Sequence, residues 1–380
     1  MEKRYLFTPG PTPVPPEVLA ATALPIVHHR GPDFRVLYER CLGRLRDVFR
    51  TESEVLMFAA TGTGGFESAI ANLTSPGDRA LVVSAGSFGE RWAAMARAYG
   101  ADVDHLRYEW GEAPSPDDVA DRARDAKYVT LVHSETSTGV VLDLQPLAAA
   151  AKEAGALVVV DAVSSLGAVP LETDAWGLDE VVTGSQKALM TPPGLALVAV
   201  SDAAYAAADG AGAPRFYFDW ARTRKAQEAV NAAFTPAVSL VAGLDVALGL
   251  ILDRGLDAMF AHHARLGRAC REGAKAMGLE LFSPDDDRSA VVTAIRAPAG
   301  VDADELLLLL RDRHGVTLAP GQGELKGKVF RIGHIGWFDV FDIASALSAV
   351  ELALTGLDAP IERGVAAARA LEAYEDFAAA

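Results

Sequence analysis

The sequence predicts an α/β fold: a large domain with a mostly parallel sheet covered by helices, plus a smaller C-terminal α+β domain. Three observations lead there. Short β-branched apolar runs recur through the first 200 residues and alternate with stretches of helical spacing, the mark of strand–helix–strand crossovers. Those runs are apolar at nearly every position, as strands buried on both faces must be. After about Thr235 the alternation stops and long Ala- and Leu-rich stretches take over. A chain of 380 residues has room for about two such units.

In chain order, residues 1–19 contain Pro9, Pro11, Pro13, Pro15 and Pro16 and read as an extended N-terminal arm. Strands are expected at 54–59, 80–84, 128–133, 156–161, 180–183 and 195–200, and helices at 65–73, 89–99, 116–123 and 144–154. The turn chemistry agrees: SPGD at 75–78 follows a helix, and Gly100 and Gly155 stand where C-terminal caps are needed. Residues 239–252 and 256–277 read as consecutive helices with a break at 254–255. An alternating strand at 290–295, a helix at 303–314, a strand at 328–333 and helices at 341–354 and 361–378 complete the chain. The PDDD at 284–287 reads as a solvated loop. The expected division is arm 1–19, large domain 20–253 and small domain 254–380.

The charge balance removes several function classes. With 51 acidic and 35 basic residues the formal net charge is −16, the wrong sign for a nucleic-acid partner. Small anionic substrates respond to local fields and are not excluded. Cys41 and Cys270 are the two cysteines, too few for a disulfide-dense scaffold or a four-cysteine zinc or iron–sulfur site. The opening MEKRYLFTPGPTP reaches proline before an apolar stretch of signal length develops. The longest apolar runs, at 248–252 and 306–310, fall far short of the ~20 residues of a membrane span. A soluble, cytoplasmic protein without a membrane partner is expected.

The chemistry concentrates in VVVDAVSSLGAVPLETDAWGLDEVVTGSQKALMTPPG at 158–194. Asp161 ends one apolar strand, and Lys187 follows another in the turn GSQKA. Ligands of open parallel sheets sit at the carboxyl ends of the strands, so both groups are expected at one rim. A lysine just outside an apolar strand is partly desolvated, which lowers its pKa and frees a neutral amine. A nucleophilic lysine with a strand-end aspartate is the minimum pair for pyridoxal phosphate: the lysine forms the Schiff base and the aspartate keeps the pyridine nitrogen protonated. Singly, Lys187 also reads as a solvated loop residue and Asp161 as a helix N-cap. The third part is TGTGG at 61–65, between a strand and a helix. Its glycines permit close backbone approach, the helix start offers N–H groups to a phosphate, and the Thr61 and Thr63 hydroxyls add donors. It lacks the lysine of a nucleoside-triphosphate loop and departs from the dinucleotide fingerprint; a tight turn without ligand is the bland alternative.

On these residues the chain resembles the class V aminotransferases of the fold type I pyridoxal phosphate enzymes, and within them the alanine–glyoxylate and serine–glyoxylate group. The motifs are TPGPTPVPPEV at 8–18, TGTGG, SETSTG, DAVSSLG with GSQKALMTPPG, and FRIGHIG at 330–336, spanning nearly the whole chain. The resemblance implies an aspartate-aminotransferase-like fold, pyridoxal 5′-phosphate as cofactor and a homodimer. Lys187 matches the Schiff-base lysine and Asp161 the partner of the pyridine nitrogen. Thr63, Gly64 and Gly65 fall where the family binds the phosphate, with Gln186 and Ser185 adding donors. Phe88 matches the ring that stacks on the cofactor, often a tryptophan in the family, and Val163 packs on the opposite face. Thr136 matches the hydroxyl at the phenolic oxygen. Thr235 resembles a residue that reaches the neighbouring subunit's phosphate, although Ala232 replaces a tyrosine found just before it in some members. Arg331 matches the arginine that grips the substrate carboxylate; its guanidinium fork suits that task, while an edge-strand arginine in a surface ion pair is the alternative. Gly10 and His29 are implied at the substrate entrance, where His28, His29 and Arg30 read equally as loop or subunit-contact residues. That HHR triplet has no metal-ligand spacing.

The reaction so implied is transamination between a small amino acid, alanine or serine, and a small 2-oxo acid such as glyoxylate. The rivals are a cysteine desulfurase, which needs a cysteine in a mobile loop, a kynureninase-like lyase, and a non-catalytic homologue. Cys41 and Cys270 both fall in helical patterns, which disfavours the desulfurase.

Overall fold

The computed structural model describes residues 3–286 and 288–377. Asp287 of the predicted loop and Ala378 of the predicted last helix lie outside them. From the N-terminus, β1 (Tyr5–Leu6), α1 (Pro16–Thr22) and α2 (Pro32–Phe49) precede β2 (Glu54–Phe58). Then follow α3 (Gly62–Leu73), β3 (Arg79–Ser84), α4 (Ser87–Ala98), β4 (Asp102–Arg107), α5 (Pro116–Arg122) and β5 (Tyr128–Val132). A short hairpin, β6 (Ser134–Glu135) and β7 (Val140–Val141), leads to α6 (Leu144–Glu153), β8 (Leu157–Asp161), β9 (Glu180–Gly184) and β10 (Ala196–Val200).

The central sheet has the order β2-β10-β9-β8-β5-β3-β4. Strands β4, β3, β5, β8 and β9 run parallel, while β10 is antiparallel to both β9 and β2. The cause lies in the connection: residues 185–195 return from β9 without a helix, and a helix-free return closes an antiparallel pair. Every residue of β5, β9 and β10 is buried. Phe66, Ile70 and Trp92 of α3 and α4 cover one face; Phe34, Leu45, Leu147 and Leu244 belong to the core on the other. Each such side chain contributes about 1.5–3 kcal/mol through burial, and Phe66 and Trp92 also stack at 4.5 Å.

Helices α7 (Asp202–Asp209) and α8 (Trp220–Glu228) lead to α9 (Val238–Arg254) and α10 (Leu256–Ala276), divided at Gly255 with φ 87°. Beyond them come β11 (Val292–Arg296), α11 (Ala303–His314), β12 (Val316–Thr317), β13 (Ala319–Pro320), β14 (Val329–Gly333), α12 (Val340–Gly356) and α13 (Ala366–Glu375). Strands β11, β14 and β13 form an antiparallel sheet with β14 in the middle. Leu266, Leu306, Phe330, Ile332, Leu347 and Ala370 lie in its core.

Several expectations shift. Within the expected arm, β1 pairs in parallel with β12, Tyr5 opposite Val316, and Pro16 opens a helix. Pro suits that first helical position because its missing N–H would have no partner there. Helix α3 starts at Gly62, not at residue 65, and α13 starts at Ala366, after Gly364 at φ 78°. Strand β4 and helices α7 and α8 were not anticipated; β4 is an edge strand whose DVDHLR carries too few apolar residues to stand out. No helix among the described residues is long and apolar enough to cross a membrane.

Candidate active site

Strands β8 and β9 are parallel neighbours, with Asp161 opposite Val182. Asp161 is the last residue of β8, and Lys187 follows the end of β9 by three residues, so both stand at the carboxyl rim of the sheet. They are 4% and 8% exposed. The N-terminal segment fixes the lysine loop: Thr12 donates its N–H to the Gln186 carbonyl (3.1 Å) and its hydroxyl to the Lys187 carbonyl (3.0 Å). Gly10 makes room for the side chain itself, because a Cβ there would lie 2.5 Å from Lys187 Cδ and 2.7 Å from Nζ. Gly10→Ala is therefore expected to displace the amine and lower kcat/KM about 10²-fold, since a misplacement of about 1 Å is enough for that. Steady-state kinetics on the folded variant check this; unchanged kcat/KM would mean that Lys187 yields without consequence.

The electrostatics follow from burial. Desolvation brings the Lys187 pKa down to about 8; Arg331 pushes the same way, while Asp161 and Glu135 oppose it. Desolvation likewise raises Asp161 to about 7, partly offset by the Val163 N–H, which donates to Oδ1 at 2.9 Å. An amine poised near neutrality beside a carboxyl that welcomes a cationic partner is suited to proton transfer.

The TGTGG segment lies differently from its expectation as a turn. Thr61 is the N-cap of α3, with no side-chain cap, and Thr63, Gly64 and Gly65 occupy the first helical turn. The Gly64 and Gly65 N–H groups already donate to the Thr61 carbonyl, at 2.8 and 3.2 Å. Gly62 and Thr63 are thus the N–H groups that the helix end presents. The glycines also let α3 press on its neighbours. A Cβ at Gly62 would come within 2.7 Å of Val163 Cγ2, one at Gly64 within 3.0 Å of the Phe218 ring, and one at Gly65 would strike Val182. Arg91, absent from the sequence expectations, donates to Thr63 Oγ1 at 3.1 Å and lies 4.8 Å over the Phe88 ring. The Gln186 amide oxygen is buried without a partner. Ser185, expected to add a donor, instead donates its hydroxyl to Pro192 (2.7 Å) and accepts from the Leu195 N–H (3.3 Å).

Phe88 is the second residue of α4, and its N–H donates to Glu135 Oε2 at 2.9 Å. Thr136 is buried in the connection between β6 and β7, and its carbonyl accepts from Arg331 Nη1. Arg331 is not an edge-strand residue in a surface ion pair. It lies on the middle strand β14, 4% exposed, with Nε donating to the Pro320 carbonyl at 2.9 Å. Burial pulls its pKa down to about 10, against the pull of Glu135. Both Arg331 and Glu135 act on the Lys187 amine, so the two sheets contribute to one electrostatic site.

His29 and Thr235 lie together, lining a cleft of about 650 Å³ with Ile26, His28, Val238 and Leu240; Lys187, Asp161 and Arg331 are not among its walls. Both cysteines are fully buried, Cys41 on α2 and Cys270 on α10. Burial raises both thiols, Cys270 to about 12, which suppresses the thiolate that a desulfurase would need. Glu135, Arg91, Gly62 and Thr12 escaped sequence reasoning. Glu135 lies within SETSTG, but its partners on α4, Gly89 and Phe88, stand 46 and 47 residues away.

Comparison with known proteins agrees with this geometry. The family described as aminotransferase class-V matches residues 4–325. The soluble hydrogenase 42 kDa subunit of Anabaena cylindrica is 41% identical over 94% of this chain and 94% of its own. The serine–glyoxylate aminotransferase of Methylorubrum extorquens is 36% identical over 96% and 95%. The crystal structure of ureidoglycine–glyoxylate aminotransferase from Bacillus subtilis superposes with a TM-score of 0.94, at 31% identity over 99% of both chains. With the paired lysine and aspartate at the sheet rim and a match over most of its length, the chain belongs to the aminotransferase class-V family.

Proposed function

We propose that this chain is a pyridoxal 5′-phosphate-dependent aminotransferase that moves an amino group from a small amino acid, alanine or serine, to a small 2-oxo acid such as glyoxylate. One observation carries the reading: Lys187 and Asp161, from adjacent parallel strands, are buried at one rim and influence each other's ionisation. The serine–glyoxylate and ureidoglycine–glyoxylate relatives support glyoxylate as acceptor.

The residues fit the cofactor. The start of α3 offers the Gly62 and Thr63 N–H groups and a positive dipole end to a phosphate, and Gln186 would add its amide NH2 as a donor. Phe88 and Val163 would bound the two faces of its ring, with Thr136 at the phenolic oxygen and Thr235 serving the phosphate of a neighbouring subunit. When bound, the cofactor supplies a carbon that amines attack and a ring that accepts an electron pair. Lys187 would carry the proton from the α-carbon of the amino donor to the cofactor carbon that amines attack, and in the second half would carry a proton from that carbon to the α-carbon of the amino acid formed from the acceptor. Asp161, negative beside a cationic nitrogen, keeps a proton on that nitrogen. Arg331 orients the substrate through its carboxylate. A homodimer in the cytoplasm completes the reading; exposed Leu24 and Ile26, close in sequence to the His29 cleft, supply apolar surface for a second copy.

The test is spectroscopic. Apoprotein mixed with pyridoxal phosphate is expected to develop a visible band that an added amino donor discharges. The Lys187 pKa lies below its ordinary value near 10.5, so the amine is neutral above about 8 and charged below. The band should therefore form about tenfold more slowly for each pH unit below 8 and reach a plateau above it. A protein that stays colourless at every pH would overturn the proposal.

A further inference from the structure

We infer that Glu135 is a positioning residue of this site: its carboxylate locks the start of α4 to the hairpin of β6 and β7, and so fixes Phe88 and Thr136 relative to Lys187. The inference rests on the function proposed above and assigns a role to a group that the mechanism does not use.

Glu135 is 2% exposed and no cation bonds it directly among the described residues. A carboxyl buried that deeply is destabilising unless its oxygens find donors, and here both do. Oε2 accepts from the backbone N–H groups of Phe88 (2.9 Å) and Gly89 (3.3 Å), and Oε1 from the N–H (3.2 Å) and hydroxyl (2.5 Å) of Ser137. The Ser137 hydroxyl oxygen accepts in turn from the Ser87 N–H at 3.0 Å, which closes a ring of contacts between helix and hairpin.

The cap of α4 is thus supplied from a distant part of the chain. Its own N-cap is Gly86, which has no side chain to offer, and a Cβ at that position would lie 2.5 Å from Glu135 Cδ and 2.6 Å from Ser137 Oγ. The glycine therefore leaves the space that the carboxylate fills. Two site residues depend on the lock. Phe88 is held through its own N–H. Thr136, the residue after Glu135, offers the carbonyl that receives Arg331. The lock is also electrostatic. The charged groups that feel Glu135 are Asp161 from β8, Lys187 after β9 and Arg331 from β14; from α4 it receives the Phe88 and Gly89 N–H groups at the positive end of the helix dipole.

Glu135→Gln keeps the shape and removes the charge. In the cofactor-loaded protein, the pH at which the visible band shifts, as a proton leaves the Lys187 nitrogen, is expected to fall by about one unit, because a negative charge that favours the cationic form is gone. Glu135→Asp keeps the charge and should restore the wild-type transition even where its Tm is lower. A residue needed only for folding would lower Tm in both variants and leave the transition in place, and that result overturns the inference. Should Glu135→Gln fail to fold, Gly86→Ala crowds the carboxylate without altering charge and should weaken cofactor retention about tenfold; unchanged retention overturns the inference as well. The two levels separate cleanly: a wild-type protein that never develops the band defeats the proposed function, whereas a normal wild type with an unshifted Glu135→Gln defeats the role of Glu135 alone.

Discussion

Replacing Lys187 by alanine is expected to lower kcat at least about 10³-fold, because in the proposed function one amine would both bind the cofactor and move the substrate proton, and proton transfer by itself is worth about 10²–10⁴. The variant should stay folded. The Lys187 ammonium is buried and its pKa is depressed to about 8 from an ordinary value near 10.5. Below pH 8 the lysine is charged in both folded and unfolded chains, and the folded chain bears the full desolvation penalty. Between about 8 and 10.5 the folded protein has lost the proton and the unfolded chain has not, so wild-type stability rises with pH across that window. The alanine variant lacks this titration. Its apoprotein Tm, measured against wild type, should compare best below pH 8 and lose ground as pH approaches 10.5. Retention of more than a tenth of wild-type kcat, with the band still formed, would sink the assignment of Lys187.

How far the sequence revealed this site depended on whether a function was local. Asp161 closes one apolar strand and Lys187 follows another, and strands buried on both faces announce themselves by composition, so both positions and their shared rim were readable. The direction of β10 was not, because an apolar run looks the same either way along the sheet. Glycine misled at α3: Gly62 and Gly64, outside the helix expected from residue 65, lie inside it, where contacts with Val163 and Phe218 leave no room for a Cβ. Tertiary packing overrode propensity there. Helix α8, WARTRKAQE, has too polar a sequence to declare a buried face, although Trp220 and Thr223 are buried. Glu135 was invisible in its role because two of its donors, the Phe88 and Gly89 N–H groups, come from a helix that starts 48 residues earlier, and no local rule connects the two.

Arg331→Gln is expected to lower kcat/KM for the amino donor at least about 30-fold, mainly through KM, with little loss of stability. The reason is an asymmetry between the free and the substrate-bound protein. In the free protein the guanidinium is nearly sealed from water; Nε donates to the Pro320 carbonyl and Nη1 to the Thr136 carbonyl, neither of which carries a formal charge. Burial draws its pKa down to about 10, so holding the cation there without a bonded anion is unfavourable. In the proposed function a substrate carboxylate would supply the missing anion, and removing one partner of such a buried, hydrogen-bonded charge pair is worth about 2–5 kcal/mol. Glutamine retains a donor for one of the two carbonyls and removes the stranded charge, so the apoprotein Tm should be equal to or higher than wild type, as expected where function is kept at the expense of stability. Kinetics with a monocarboxylate donor and a thermal melt of the apoprotein read the two halves separately. A fall in kcat/KM of less than tenfold would show that the carboxylate is held elsewhere, and a large drop in Tm would show that Arg331 supports the fold and not the substrate.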